Sequence, residues 1–155
     1  MSAPVPATPP RVVAVASAGG HWVQLLRMRP AFAGADVTWV TTRASLARQV
    51  EGKLHVVADA SRSTPFRLVW MVCQLFWLML RLRPHVVITT GAAPGAVALV
   101  FGRLFFARTI WIDSIANGEV MSRSGRLVRP FAKVWLTQWP NLSKPEGPDC
   151  WGSVV

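Results

Sequence analysis

The chain has 155 residues, 52% of them hydrophobic, and a formal net charge of +10. That length suits one domain of ordinary size, and two cysteines, Cys73 and Cys150, are too few for a disulfide framework, so a reducing compartment is expected. The basic residues are arginines apart from Lys53, Lys133 and Lys144, and they lie scattered among apolar residues, with no zinc-ligand spacing, no Arg/Lys block and no heptads; this points away from nucleic acid and towards an anionic membrane surface or a diphosphate.

In chain order, residues 1–10 are Pro-rich, with neither a charged n-region nor an apolar h-region, and are expected to form a disordered leader, not a signal peptide. Arg11–Ser17 is β-branched and apolar, the pattern of a strand buried in a parallel sheet. Gly19 and Gly20 make a turn into a helix from about His21 to Met28. A second strand is predicted over Ala35–Thr42, a short helix over residues 43–50, and a third strand over Lys53–Asp59. A long apolar helix covers Pro65–Leu82, and Pro84 ends it. His85–Thr90 is a fourth strand, followed by a Gly-rich loop in which Pro94 stands near a helix start, where its missing N–H costs little. Residues 109–114 form a fifth strand, residues 124–132 a short helix with Ser124 as N-cap, and residues 133–139 a sixth strand. The tail from 141 to 155 is rich in Pro and Gly and is expected to be loose. Strict alternation of strand and helix predicts a single α/β domain over 11–140 with a doubly wound, Rossmann-like parallel sheet.

In such a sheet ligands gather at the carboxyl ends of the strands. Three loops there stand out. In the first, Ser17 to His21, the glycines allow close approach of a ligand to the backbone, and the free N–H groups of the helix start attract an anion. A helix N-terminus also favours neutral imidazole, which suits His21 to a general-base role; the same residues fit a tight turn with a solvent-facing histidine. The spacing is not GxGxxG, so an ordinary dinucleotide site is not expected here; neither is a metal or another cofactor. The second loop repeats the device with Gly91 and Gly95 around Pro94, as pocket lining or as a helix cap. The third carries Asp113, Ser114, Asn117 and Glu119, polar groups that suit a sugar or are simply an ordinary loop.

The helix over 65–82 has one polar residue, Gln74, between Leu68 and Leu80, an apolar core shorter than a bilayer span requires. Trp70 and Trp77 are seven residues apart on one face, with Arg67, Arg81 and Arg83 at the ends. The pattern fits a helix dipping into a membrane interface, or a core helix packed between the sheet and a partner protein.

Taken together, "SAGGHWVQLLRM", "SRS" at Ser61–Ser63, "RPHVVITTGAAPG", "WIDSIANGE" and "SGRLVRPFAKVWLTQWP" follow one another in an order that resembles the acceptor-side subunit of two-chain, MurG-like glycosyltransferases. Members include the membrane-bound subunit of the eukaryotic transferase that adds the second GlcNAc to a dolichol diphosphate glycan, and bacterial capsule and exopolysaccharide biosynthesis proteins. The resemblance covers about residues 11–140 and implies the N-terminal half of a GT-B enzyme, with the UDP-sugar site on a separate partner chain. It further implies a polyprenyl-diphosphate-linked sugar as acceptor, His21 as candidate base, and Ser17, Gly19, Gly20, Gly91, Gly95, Asn117 and Glu119 around the acceptor. The chain is then expected at the cytoplasmic face of the membrane as a peripheral subunit, either completing an active enzyme or serving as a non-catalytic scaffold that docks and enhances one. A stand-alone small-molecule-binding α/β protein is a weaker reading. The turn lacks the extra Gly-Thr insertion of MurG.

Overall fold

The structure, a computed structural model, describes Pro4 and residues 8–155. Most of the expected leader therefore lies outside the described residues. Seven parallel strands form one sheet in the order β3-β2-β1-β4-β5-β6-β7. They are β1 (Arg11–Val15), β2 (Asp36–Thr41), β3 (Lys53–Val56), β4 (Val86–Thr89), β5 (Arg108–Ile112), β6 (Val134–Thr137) and β7 (Asp149–Cys150). Four α-helices connect them: α1 (Gly20–Arg27), α2 (Pro65–Leu82), α3 (Ala92–Leu104) and α4 (Arg123–Leu127).

Both faces of the sheet are covered, which is why β1 reads as a continuous apolar run. The period of two sorts its side chains. Val13 and Val15 join Met71, Leu75, Met79 and Leu99 from α2 and α3, while Val12, Ala14 and Ala16 join Trp22 and Leu25 from α1 and Trp39 from β2. Rings of Trp22 and Trp39 meet edge to face at 5.8 Å, and the Trp22 indole N–H donates to Gln49 Oε1 at 2.8 Å.

Local chemistry sets the helix ends. α2 starts on Pro65, and its chain turns out of the helix at Arg83, whose left-handed φ of 44° precedes Pro84. Pro94 is the third residue of α3, still within the first turn where N–H groups have no helical acceptor.

The short helix expected over 43–50 is a 3-10 helix, Ala44–Gln49, flanked on both sides by extended residues and without a side-chain cap. Two expectations are corrected. α4 is capped by Ser122, whose Oγ accepts from the Gly125 N–H at 2.9 Å; Ser124 lies one residue too far along and sits inside the helix. The segment after Pro140 is not loose throughout, because β7 pairs with β6 through Leu136–Asp149 and Thr137–Cys150. Two residues of backbone pairing were invisible among the prolines and glycines around them.

Candidate functional site at the switch point of the sheet

The strand order reverses at β1: the chain builds outwards to β2 and β3, then returns to lay β4 on the other side. The crevice of a doubly wound sheet opens between the two strands that flank this reversal. Both strands here end in a glycine turn. After β1, Gly19 adopts φ 98° and is the N-cap of α1; after β4, Gly91 adopts φ 131° and is the N-cap of α3. Neither helix has a side-chain cap, so two sets of free N–H groups lie at neighbouring strand ends.

His21, the second residue of α1, is half-buried between the turns. Its Nδ1 lies 2.9 Å from the Thr90 carbonyl oxygen, and Thr90 Oγ1 donates to the His21 carbonyl at 2.6 Å. A carbonyl only accepts, so Nδ1 carries a proton, and in the neutral imidazole the lone pair then lies on Nε2. A Cβ built on Gly91 would stand 2.7 Å from both Cε1 and Nδ1 of the imidazole; the missing side chain is the space the ring occupies. The Gly91 N–H donates to Thr89 Oγ1 at 3.1 Å, which holds the turn in shape.

The remaining residues expected in the site separate into two groups. Ser17, half-buried, Gly19 and Gly20 belong to the first turn, and a Cβ on either glycine would meet nothing within 4 Å. Gly95 lies elsewhere. It is buried where α3 crosses β4, and a Cβ there would reach Thr89 Oγ1 at 2.0 Å, so its role is helix–sheet contact and not pocket lining.

In the third loop the organiser is Asp113, 1% exposed. Its carboxylate accepts from the Trp111 indole N–H at 3.1 Å, the Asn117 amide at 3.2 Å, the Ser122 N–H at 2.7 Å and the Ser122 hydroxyl. Four donors compensate a buried negative charge. Asn117 thus anchors the loop. Glu119 is exposed and borders a cleft of about 440 Å³ shared with Arg126, Arg129 and Trp135.

Two residues that are not among the expected site residues join the three loops. Gln24, 6% exposed on α1, and Gln138, 4% exposed at the end of β6, hydrogen-bond to each other at 2.6 Å. A glutamine one turn after a histidine, on an otherwise apolar helix face, was the available signal.

The membrane-contact candidates lie on α2. Met71, Leu75 and Met79 bury one stripe in the core, while Trp70 and Trp77 are 62% and 67% exposed. Phe66 and Val69 are exposed on the same helix, and Leu104 and Phe106 at the end of α3, which meets α2 through Phe76 against Phe101 and Phe105. Arg67, Arg81 and Arg83 are exposed and stand in no ion pair among the described residues. Against the expectation of an apolar core too short to span a bilayer, the whole of α2 is by length and composition long and apolar enough to cross a membrane, with a mean hydropathy of 1.3 over 18 residues, yet it gives one stripe to the protein core. That leaves it one-sided.

A parallel Rossmann-like sheet with glycine turns at its switch point defines half of a GT-B fold. MurG from Acinetobacter baumannii superposes with a TM-score of 0.77 at 17% identity, over 95% of this chain and 46% of that one, so the chain spans under half the length of MurG and corresponds to its N-terminal half. Residues 53–153 match the family model described as oligosaccharide biosynthesis protein Alg14 like, and the chain belongs to that family. Among its curated relatives, the UDP-N-acetylglucosamine transferase subunit ALG14 of Eremothecium gossypii is 26% identical over 88% of this chain and 76% of its own length. The subunit of the same name from Mus musculus is 24% identical over 86% of this chain and 77% of its own.

Proposed function

We propose that the chain is the acceptor-binding, membrane-recruiting subunit of a split UDP-sugar-dependent glycosyltransferase, acting on a polyprenyl-diphosphate-linked glycan in polysaccharide biosynthesis. The observation that carries this reading is the geometry of His21, with Nδ1 2.9 Å from the Thr90 carbonyl oxygen, beside two helix starts without side-chain caps. The names of the relatives support a partnered subunit and make UDP-N-acetylglucosamine the donor to test first.

In this mechanism the acceptor diphosphate lies on the N–H groups behind Gly19 and Gly20, where backbone dipoles meet its charge. The acceptor hydroxyl attacks the anomeric carbon of a UDP-sugar held by the partner chain. The new C–O bond forms as the bond to UDP breaks, with inversion, and Nε2 of His21 takes the hydroxyl proton. The Thr90 carbonyl stabilises the resulting imidazolium through Nδ1–H, as a carboxylate does in other histidine-based sites. The outward face of α2, apolar with Trp70, Trp77 and unpaired arginines, seats the subunit on the cytoplasmic side of the membrane as a peripheral protein.

The test is sugar transfer by the complex reconstituted with its donor-binding partner on vesicles. His21→Ala is expected to lower kcat by about 10²–10⁴-fold with the fold retained. Full turnover by that variant removes His21 from the chemistry and leaves the second reading, a non-catalytic scaffold, which the exposed face of α2 favours. Trp70→Ser with Trp77→Ser is expected to abolish co-sedimentation with anionic vesicles; retained binding excludes this face as the membrane contact.

A further inference from the structure

A buried amide pair lies behind the His21 helix. Gln24 Oε1 accepts from the Ile115 N–H at 3.2 Å and from Gln138 Nε2 at 2.6 Å, while Gln24 Nε2 donates to Ser114 Oγ at 3.2 Å. Gln138 Nε2 also donates to the Asp113 carbonyl at 2.9 Å, and Gln138 Oε1 accepts from the Val154 N–H at 2.7 Å. Neither amide can turn over. The Ile115 N–H only donates and the Asp113 carbonyl only accepts, so backbone groups dictate which end of each side chain is oxygen.

The connections are long in sequence. Gln24 on α1 reaches the loop after β5, and Gln138 at the end of β6 reaches both of them and the terminal segment. His21 stands three residues before Gln24 on the same helix, pinned on its own side to Thr90. Side-chain hydrogen bonds therefore hold α1 at three points: the imidazole to the loop after β4, the amide pair to the loops after β5 and β6, and the Trp22 indole to Gln49 after β2. Because every polar atom of the pair has a partner, displacing α1 leaves several buried groups unpaired at once.

We infer that Gln24 and Gln138 are positioning residues for His21: their paired amides set the placement of α1 and so hold the imidazole against the Thr90 carbonyl. The inference rests on the base role proposed above for its catalytic consequence, but the placement itself is readable without activity. The structural readout is the ring ¹⁵N signals of His21 in the purified full chain, which report the tautomer; the catalytic readout is kcat and KM of the reconstituted complex.

Gln138→Met keeps the length of the side chain and removes its donors and acceptor. It is expected to turn the single Nδ1–H tautomer into a mixture and to lower kcat by about tenfold to a hundredfold, the range for a small misplacement of a reacting group, with KM for the donor unchanged. Gln24→Glu keeps an acceptor for Ile115 and Gln138 and lets the Ser114 hydroxyl turn to donate, so it is expected to retain the wild-type tautomer. A folded Gln138→Met protein with an unchanged His21 tautomer overturns the inference. If Gln138→Met does not fold, Ser114→Ala, which removes one hydroxyl from the network, is read by the same signals; a partial shift supports the inference and no shift overturns it. An altered tautomer with unaltered kcat overturns the base role of His21 and leaves the positioning intact.

Discussion

The two glycine turns at the switch point look alike as sequence and do different work in the fold. The first, Ser17–Gly20, leaves open space above Gly19 and Gly20, whereas the second, Thr90–Gly95, is filled: the imidazole of His21 occupies the volume over Gly91, and Thr89 presses on Gly95. One turn leaves its surface uncovered. The other is shaped to receive a side chain of the chain itself. The loop expected to line the acceptor pocket thus acts chiefly on the histidine, fixing its tautomer through the Thr90 carbonyl and its position through the missing Gly91 side chain. Proximity of a glycine to a site does not make it a contact for the ligand.

This contrast is open to attack at single positions. Gly95→Ala places a Cβ 2.0 Å from Thr89 Oγ1 between a strand and a helix that cannot separate without exposing core. It is expected to cost about 3 kcal/mol or more in denaturant unfolding, by overpacking. An unchanged midpoint would show that α3 is free to shift. Gly91→Ala combines a contact of 2.7 Å with His21 and a backbone φ of 131°, unfavourable for any residue with a Cβ. A loss of about 1–3 kcal/mol is expected in stability, together with displacement of the imidazole and a fall in kcat. A fall in kcat equal to that of His21→Ala would assign the whole role of Gly91 to the ring. Gly20→Ala is the mildest to the fold, since its Cβ meets nothing. Its unfolding free energy is expected to stay within about 0.5 kcal/mol of the parent, as for ordinary exposed substitutions, while KM for the lipid-diphosphate acceptor rises. Unchanged KM would mean that the first turn is open for no ligand. Away from both turns, Asp113→Ala strands the Trp111 and Ser122 donors, each at about 1–3 kcal/mol, and is expected to melt the loop over 113–122 first, seen as early amide exchange there.

Much of this was readable from composition and periodicity. The runs around Val12–Ala16, Val37–Val40 and Val86–Ile88 are β-branched and apolar because both faces of a parallel sheet are covered. Helix α2 announced itself by length, and the Gly-Gly-His turn by its interruption of an apolar pattern. Less was readable where the signal is a single hydrogen bond. Ser124 is the cap expected for α4, and only the Gly125 N–H pointing at Ser122 Oγ moves the cap to Ser122. β7 is two residues long and is held by its neighbour, not by its own propensity.

By itself the sequence determined the alternation of strands and helices, the glycine turns and the long apolar helix, because these depend on neighbours within a few residues; which face of that helix is buried was decided by the fold. Which turns would meet depended on strand order, and strand order is decided by contacts between residues far apart in the chain. Only the fold could bring His21 against Thr90, 69 positions away, or Gln24 against Gln138, 114 positions away. A hydrogen bond specifies its partner by distance and angle in space, and no local pattern of residue types carries that information.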